Sequence, residues 1–320
     1  MKRINHLYDR ICSLENLQLA DAVAQIGKAK QYGVRRHNRN AETNILNLRE
    51  MLLNKTFTTS AYSTFTVNEG KERLVFRLPY YPDRIVHHAI MNVIEPILNG
   101  MLTADTYACV KGRGVHKAGE AIKRALRNES DTRYCLKLDI RKFYPSVDHQ
   151  VLKSQLRRKF KDGDLLWLLD NIIDSAPGLP IGNFLSQSLS NMYLTPFDHW
   201  IKQDLKVATY FRYVDDMAIL SSDKPYLHQL RVNIQEYLRV NLKLELKANW
   251  RVSPIDICGL DMLGYKYYRK YTLMRKGIKQ NFARAVAKKK GRQSIAAFQG
   301  WAKHCNSKHL IKKLLPNEQL

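Results

Sequence analysis

Acidic residues are scarce: 29 Asp and Glu stand against 53 Lys and Arg, leaving a formal net charge of +24 over 320 residues. Such an excess repels itself unless a polyanion neutralises it, so nucleic acid is the leading partner class. An anionic membrane surface is the weaker alternative, because no basic amphipathic anchor adjoins a hydrophobic terminus. Grouped cysteines are also missing. Cys12, Cys109, Cys135, Cys258 and Cys305 are scattered, with no Cys-x-x-Cys or paired His spacing to suggest zinc, and an odd count argues against a disulfide framework. The 10 histidines are dispersed. His87 and His88 are neighbours in a helical-looking stretch, where adjacent side chains point about 100° apart, which suits packing or a polar face better than a metal pair. No apolar run approaches the roughly 20 residues a membrane span needs. The opening Met-Lys-Arg-Ile-Asn-His lacks the apolar stretch of a secretory signal, so a cytoplasmic setting is expected. Internal repeats and low-complexity linkers are absent as well.

What is present divides the chain by pattern. Residues 1–60 place Ile4, Leu7, Ile11 and Leu14, then Ile45, Leu46, Leu48, Met51 and Leu52, at helical spacing among basic residues, predicting a helical N-terminal extension. Lys28 to Arg39 is basic with few acids, which suits either a solvated face or RNA contact. Residues 61–130 open with a hairpin pattern: Thr64-Phe65-Thr66-Val67, a turn at Asn68-Glu69-Gly70, then Arg73-Leu74-Val75-Phe76-Arg77. Pro82 and Asp83 then start a helix through Ile85, Ile90, Val93 and Ile97, stopped near Gly100. Within residues 131–265, Tyr134 to Ile140 reads as a core strand carrying Asp139, followed by mostly helical sequence over about 150–178. Gly178-Leu179-Pro180-Ile181-Gly182-Asn183 forms a turn into a helix from about Phe184 to Asp198, a second helix covers 225–241, and Met262-Leu263-Gly264-Tyr265 reads as a short strand. From Lys266 to Leu320 there is one acid, Glu318; apolar residues still recur at Ile295, Phe298, Trp301, Leu310, Ile311 and Leu314, so a folded basic helical module is expected.

The chemistry concentrates at residues 209–221, Thr-Tyr-Phe-Arg-Tyr-Val-Asp-Asp-Met-Ala-Ile-Leu-Ser, two short apolar runs joined across adjacent carboxylates. The flanks have buried-strand composition and the junction suits a tight hairpin. Asp215 and Asp216 repel each other there and must be desolvated close together, a conflict that a bound divalent cation removes. A solvated turn is the plainer alternative. If the strand ending at Asp139 neighbours that hairpin, three carboxylates share one sheet edge. Such a set can hold two Mg²⁺ ions about 4 Å apart, with hard oxygen ligands shared with substrate phosphates, as phosphoryl transfer requires.

Leu138-Asp139-Ile140-Arg141-Lys142-Phe143-Tyr144, Gly178 through Gln187, Tyr213-Val214-Asp215-Asp216 and Leu263-Gly264-Tyr265 occur in the order and spacing of reverse transcriptase palm motifs. Arg73-Leu74-Val75 and Asp83-Arg84-Ile85-Val86 resemble the upstream finger motifs. Most reverse transcriptases carry Gln-Gly before the palm helix and Ser-Pro within it; this chain has Ile181-Gly182 and Ser186-Gln187, which resembles the enzymes of diversity-generating retroelements. The resemblance implies an α+β right-hand polymerase with fingers (61–130), a palm with an antiparallel sheet (131–265) and a basic helical thumb (266–320). Asp139, Asp215 and Asp216 are then the catalytic carboxylates, joined by the Ile140 carbonyl as metal ligands for two Mg²⁺, with Mn²⁺ as a substitute. Lys71 and Arg73 would hold the incoming dNTP triphosphate, Tyr144 would act as the sugar gate, and Ile181, Gly182 and Gln187 would adjoin the nucleotide. Gly264 and Tyr265 match the primer grip. Arg284, Lys288, Lys289, Lys290 and Arg292 would grip the template–primer backbone, with salt-sensitive binding.

Ile181 replaces an oriented amide with an apolar branch, which weakens discrimination between substrates and implies low fidelity, mainly opposite template adenines. Simple packing under the helix is the alternative for Ile181. The resemblance further implies a bacterial or phage-encoded protein that copies a template-repeat RNA into cDNA, binds the RNA/cDNA duplex, and works with a small basic, oligomeric accessory variability determinant. The rivals are a retron enzyme, a group II intron-like enzyme and a catalytically inactive RNA-binding scaffold.

Overall fold

The computed structural model describes residues 3–68 and 72–315. The hairpin tip with Lys71, and the terminal residues including Glu318, lie outside the described residues. In chain order, helices α1 (Tyr8–Cys12), α2 (Leu14–Gln25), α3 (Tyr32–Asn38) and α4 (Ala41–Leu53) precede strands β1 (Ser63–Asn68) and β2 (Glu72–Arg77). Helices α5 (Ile85–Asn99) and α6 (Val115–Ala125) lead to β3 (Tyr134–Asp139), then α7 (His149–Lys159), α8 (Gly163–Asp174) and α9 (Phe184–His199). Strands β4 (Thr209–Tyr213) and β5 (Asp216–Ser221), α10 (Lys224–Leu242), β6 (Arg251–Pro254) and α11 (Ile255–Cys258) follow. The chain continues with β7 (Leu260–Met262), β8 (Tyr265–Tyr267), β9 (Thr272–Met274), α12 (Lys276–Ala287), α13 (Arg292–Ala302) and α14 (Lys308–Leu314).

The chain divides into two interleaved units. The first comprises residues 1–103, 141–200 and 237–245, and is mainly helical, with the β1–β2 hairpin. Its helices start where short polar side chains satisfy free backbone donors. Ser13 caps α2 by accepting from the Asn16 amide, and Asp148 caps α7 through Val151. Asp162 serves two helices: one oxygen accepts from the Leu165 amide at the start of α8, the other from Leu7 and Tyr8 at the start of α1. Burial pushes its carboxyl up, but those backbone hydrogen bonds outweigh it and hold the group below its ordinary range. α5 turns Ile85, Val86, Ala89, Ile90, Val93 and Ile94 inward, the stripe its spacing predicts. His87 is buried within the helical packing of this unit. Ile4 departs from its helical expectation: it bridges Phe160 in parallel, exchanging backbone hydrogen bonds with Lys159 and Lys161.

The second unit comprises residues 104–140, 201–236 and 246–320. It holds a four-stranded antiparallel sheet in the order β4-β5-β3-β6 and a three-stranded sheet in the order β7-β8-β9. Cys135, Leu136 and Leu138 on β3, and Met217 through Leu220 on β5, are buried, as suits the two central strands. The segment 262–265 corrects an expectation. It is not one strand but the turn of the β7–β8 hairpin, because Leu263 and Gly264 both adopt left-handed φ (58° and 81°) and Met262 pairs with Tyr265. The basic C-terminal helices enclose a small apolar core around Met274, Phe282, Ala302 and Ile311. All five cysteines are free.

Candidate active site

The register of β3 against β5 sets the geometry. Six pairs run from Tyr134↔Ser221 to Asp139↔Asp216, so the last residue of β3 faces the first of β5. β4 closes onto β5 with Tyr213↔Asp216, leaving Val214 and Asp215 as a two-residue loop. The Ile140 amide donates to the Asp215 carbonyl at 3.2 Å, tying the loop to the chain just beyond Asp139. The chain positions of Asp139, Asp215 and Asp216 and the Ile140 backbone thus lie at one end of one sheet.

Two lysines answer those charges. Lys137 lies two residues before Asp139 on the same face of β3, and its ammonium pairs with Asp216. Lys247 pairs with Asp139 at 2.5 Å, and its amide donates to the Asp139 carbonyl at 2.8 Å. Burial pushes the Lys137 ammonium down to about 8, partly opposed by the negative fields of Cys135, Asp139 and Asp261. Asp139 and Asp216 are therefore each matched by a lysine within the protein, at the cost of burying a cation.

A third cation supports the loop from beneath. Arg212 on β4 is completely buried; its guanidinium donates to the Val214 carbonyl at 3.1 Å and to the Thr106 hydroxyl at 3.2 Å. Its backbone exchanges hydrogen bonds with Asp105 and Tyr107. Val214 sits at φ 58°, a left-handed conformation that a β-branched residue adopts only where its surroundings impose it. The Arg212 clamp and the Ile140 tie are those surroundings.

The nucleotide-site candidates belong to the first unit. Gly182, at φ 114°, lies so close to β2 that a Cβ would come within 2.3 Å of the Phe76 carbonyl. The Phe76 amide donates to the Ile181 carbonyl at 2.7 Å, docking the strand that carries Arg73 onto the Ile181–Gly182 turn. Gly178, at φ 60°, makes room for the Tyr144 carbonyl, which accepts from Leu179 at 2.8 Å. The structure thereby groups Arg73's strand, Tyr144 and the Ile181–Gly182 turn. Tyr144 also receives a 3.4 Å contact from the Ser190 hydroxyl, while Arg73 and Gln187 are exposed and Ile181 is half-buried. Asp83 is wholly buried and accepts from the Ser60 amide, which makes it a structural tie.

Gly264 and Tyr265 lie elsewhere in the second unit. The close approach that Gly264 permits is to Trp301, whose ring would lie 2.5 Å from a Cβ there, and the buried Tyr265 donates to the Trp301 carbonyl at 3.0 Å. Arg284, Lys288, Lys289, Lys290 and Arg292 are all exposed, and three of them line a cleft of about 600 Å³ with Val286, Ile295 and Leu315.

Residues 63–251, more than half the chain, match the family described as reverse transcriptase (RNA-dependent DNA polymerase). The chain belongs to the reverse transcriptase family. It is 24% identical over 238 residues to protein YkfC of Escherichia coli, covering 60% of this chain and 62% of YkfC. It is 28% identical over 172 residues to the retron Ec73 reverse transcriptase of Escherichia coli, covering 48% of this chain and 52% of that protein. The chain thus spans less than two thirds of the length of these relatives. Telomerase from Candida tropicalis, solved with a fragment of telomeric RNA, matches in fold with a TM-score of 0.51 at 11% identity, covering 84% of this chain and 58% of that one. The fold class is therefore the α+β polymerase expected from the motifs.

Reverse transcriptases as a family use divalent metal ions. The donors here fit such an ion in kind, since they are hard carboxylate oxygens on facing strand positions. They are not gathered as a ready ligand set: among the described residues no group of three or more His, Cys, Asp or Glu side chains is positioned to hold a metal. Lys137 and Lys247 take that place on Asp216 and Asp139. Neither lysine nor Arg212 belongs to the residues that the palm motifs single out. Lys137 had a signal, the period-2 spacing from Asp139; Lys247 had none, since its pairing depends on where the chain returns after α10.

Proposed function

We propose that the chain is an RNA-directed DNA polymerase, a nucleotidyltransferase that extends a primer 3′-hydroxyl with dNTPs along an RNA template. The observation that carries this reading is the facing of Asp139 and Asp216 across β3 and β5, beside the Asp215 loop. Asp139, Asp215, Asp216 and the Ile140 carbonyl would hold divalent cations, Mg²⁺ first, with Lys137 and Lys247 giving way. When bound, those ions supply charge neutralisation at the phosphates and acidify the attacking hydroxyl. Arg73 would donate charge-assisted hydrogen bonds to the triphosphate, as Lys71 would beside it. The Tyr144 ring would exclude a 2′-hydroxyl. Gly264 and Tyr265 would act through their backbone on the primer strand. Arg284, Lys288, Lys289, Lys290 and Arg292 would neutralise backbone phosphates.

The finer assignment is a low-fidelity enzyme of the diversity-generating retroelement type, supported by Ile181-Gly182 and Ser186-Gln187 in the positions where the motifs usually have Gln-Gly and Ser-Pro. That reading brings a template-repeat RNA and a basic accessory protein as partners. The likeness to the retron Ec73 enzyme favours a retron-type reading equally. Primer extension on an RNA template tests the activity: product from the wild type and none from Asp215→Asn/Asp216→Asn supports it, and equal product overturns it. Sequencing the cDNA separates the subgroups, since only the retroelement reading expects errors concentrated opposite adenine and reduced by Ile181→Gln.

A further inference from the structure

Three element ends of the first unit meet around an exposed ring. Phe184, the first residue of α9, is 41% exposed. It stacks on His88 with ring centroids 4.2 Å apart and planes 12° from parallel. Arg84 precedes His88 by four residues at the start of α5, so both lie on one helix face. The Phe76–Ile181 hydrogen bond brings the end of β2, with Arg77, to the turn that leads into Phe184. Burial, reinforced by the fields of Lys28 and Arg84, pushes His88 down to about 4, so its ring is neutral at physiological pH. Burial pushes the Arg84 guanidinium down, with the field of Arg77 adding to it, and burial pushes the Lys28 ammonium down, with the field of Arg84 adding to it. None of Lys28, Arg77 or Arg84 forms an ion pair among the described residues, although each of the lysines at the carboxylate edge does.

Three cations of one unit with no ion pair among the described residues suit an anion from outside the chain. A flat aromatic face backed by a second neutral ring suits a nucleobase. We propose that Phe184, stacked on His88 and flanked by Lys28, Arg77 and Arg84, is a landing platform for single-stranded nucleic acid, on which one base stacks while adjacent phosphates meet the three cations. Within the polymerase reading the strand is the unpaired template, and only that identity rests on the reading. The interior of a duplex cannot use the platform, because each internal base pair is covered on both faces by its neighbours.

Fluorescence anisotropy without nucleotide or added metal tests this with a labelled single-stranded RNA oligonucleotide and a long RNA duplex, whose two ends are its only uncovered base faces. Phe184→Ala is expected to bind the single strand about tenfold more weakly, the scale of one base–aromatic stack, with duplex binding unchanged. Phe184→Trp is expected to restore affinity. Arg84→Gln is expected to lower the salt slope for the single strand by about one. Wild-type single-strand affinity in Phe184→Ala, equal loss on both ligands, or no restoration by Trp overturns the proposal. Absence of polymerase activity would leave these affinities as predicted, so the two readings fail separately.

Discussion

The sheet edge around Asp139 and the surface around Phe184 handle charge in opposite ways. At the edge, Asp139 and Asp216 are each matched by a lysine of the same unit, and Arg212 donates to the loop carbonyl below them. Around Phe184, Lys28, Arg77 and Arg84 crowd one another with no carboxylate in an ion pair with any of them among the described residues. The first arrangement is complete within the chain and can exchange its lysines for another cation. The second is incomplete without a polyanion. In a chain of net charge +24, such unmatched groups are where an external partner gains most, because compensated pairs offer little net field.

The comparison can be broken most severely at Arg212. Arg212→Ala leaves the Val214 carbonyl and the Thr106 hydroxyl without this donor and opens a cavity, so stability should fall by about 4 kcal/mol, read from urea unfolding midpoints. Single-strand binding by the folded fraction should be unchanged. Gly182→Ala strikes the first unit instead. A Cβ within 2.3 Å of the Phe76 carbonyl, at φ 114°, must push β2 off the turn and should cost about 2 kcal/mol, with weaker single-strand binding as Arg77 moves.

Acid sharpens the contrast through His87, the buried neighbour of His88 on α5. Burial, helped by the fields of His88 and Arg84, holds its ring at about 3 against an ordinary 6.5. The folded value is the lower one, so the unfolded chain takes up the proton first as pH falls. The stability present above pH 6.5 is then lost toward pH 3, by about 1.4 kcal/mol per pH unit for one proton. His87→Gln should flatten that slope in unfolding curves collected across the range. Smallest is Lys137→Met. Removing the ammonium leaves Asp139 facing Asp216, but it also relieves the burial of a cation, so the net loss in metal-free protein should be about 1 kcal/mol. Added Mg²⁺ should recover thermal stability more in this variant than in the wild type, because binding to the folded state alone raises the melting temperature.

Much of the carboxylate edge was legible in the chain. Buried-strand composition marked the two strands of the hairpin, Tyr134 to Ile140 read as a core strand, and the short junction between the apolar runs fixed how the hairpin connects. Other parts depended on long-range register. Asp139 faces Asp216 only because six β3–β5 pairs align, and Lys247 reaches Asp139 only after the chain returns through α10. The β7–β8 turn escaped because Leu263 looks like a strand residue; its left-handed φ is imposed by the pairing of Met262 with Tyr265. Gly264 pointed to a close approach, and the neighbour is Trp301. The platform at Phe184 left no sequence signal, since His88 lies almost a hundred positions away and cation pairing cannot be read from spacing.

The central claim is that the edge formed by Asp139, Asp215 and Asp216 performs chemistry rather than holding the fold. Single-turnover primer extension by Asp139→Asn, measured beside its affinity for the same primer–template, tests it directly. The account predicts wild-type affinity with extension reduced to background. Extension at the wild-type rate, or a loss that only mirrors weakened binding, would contradict it.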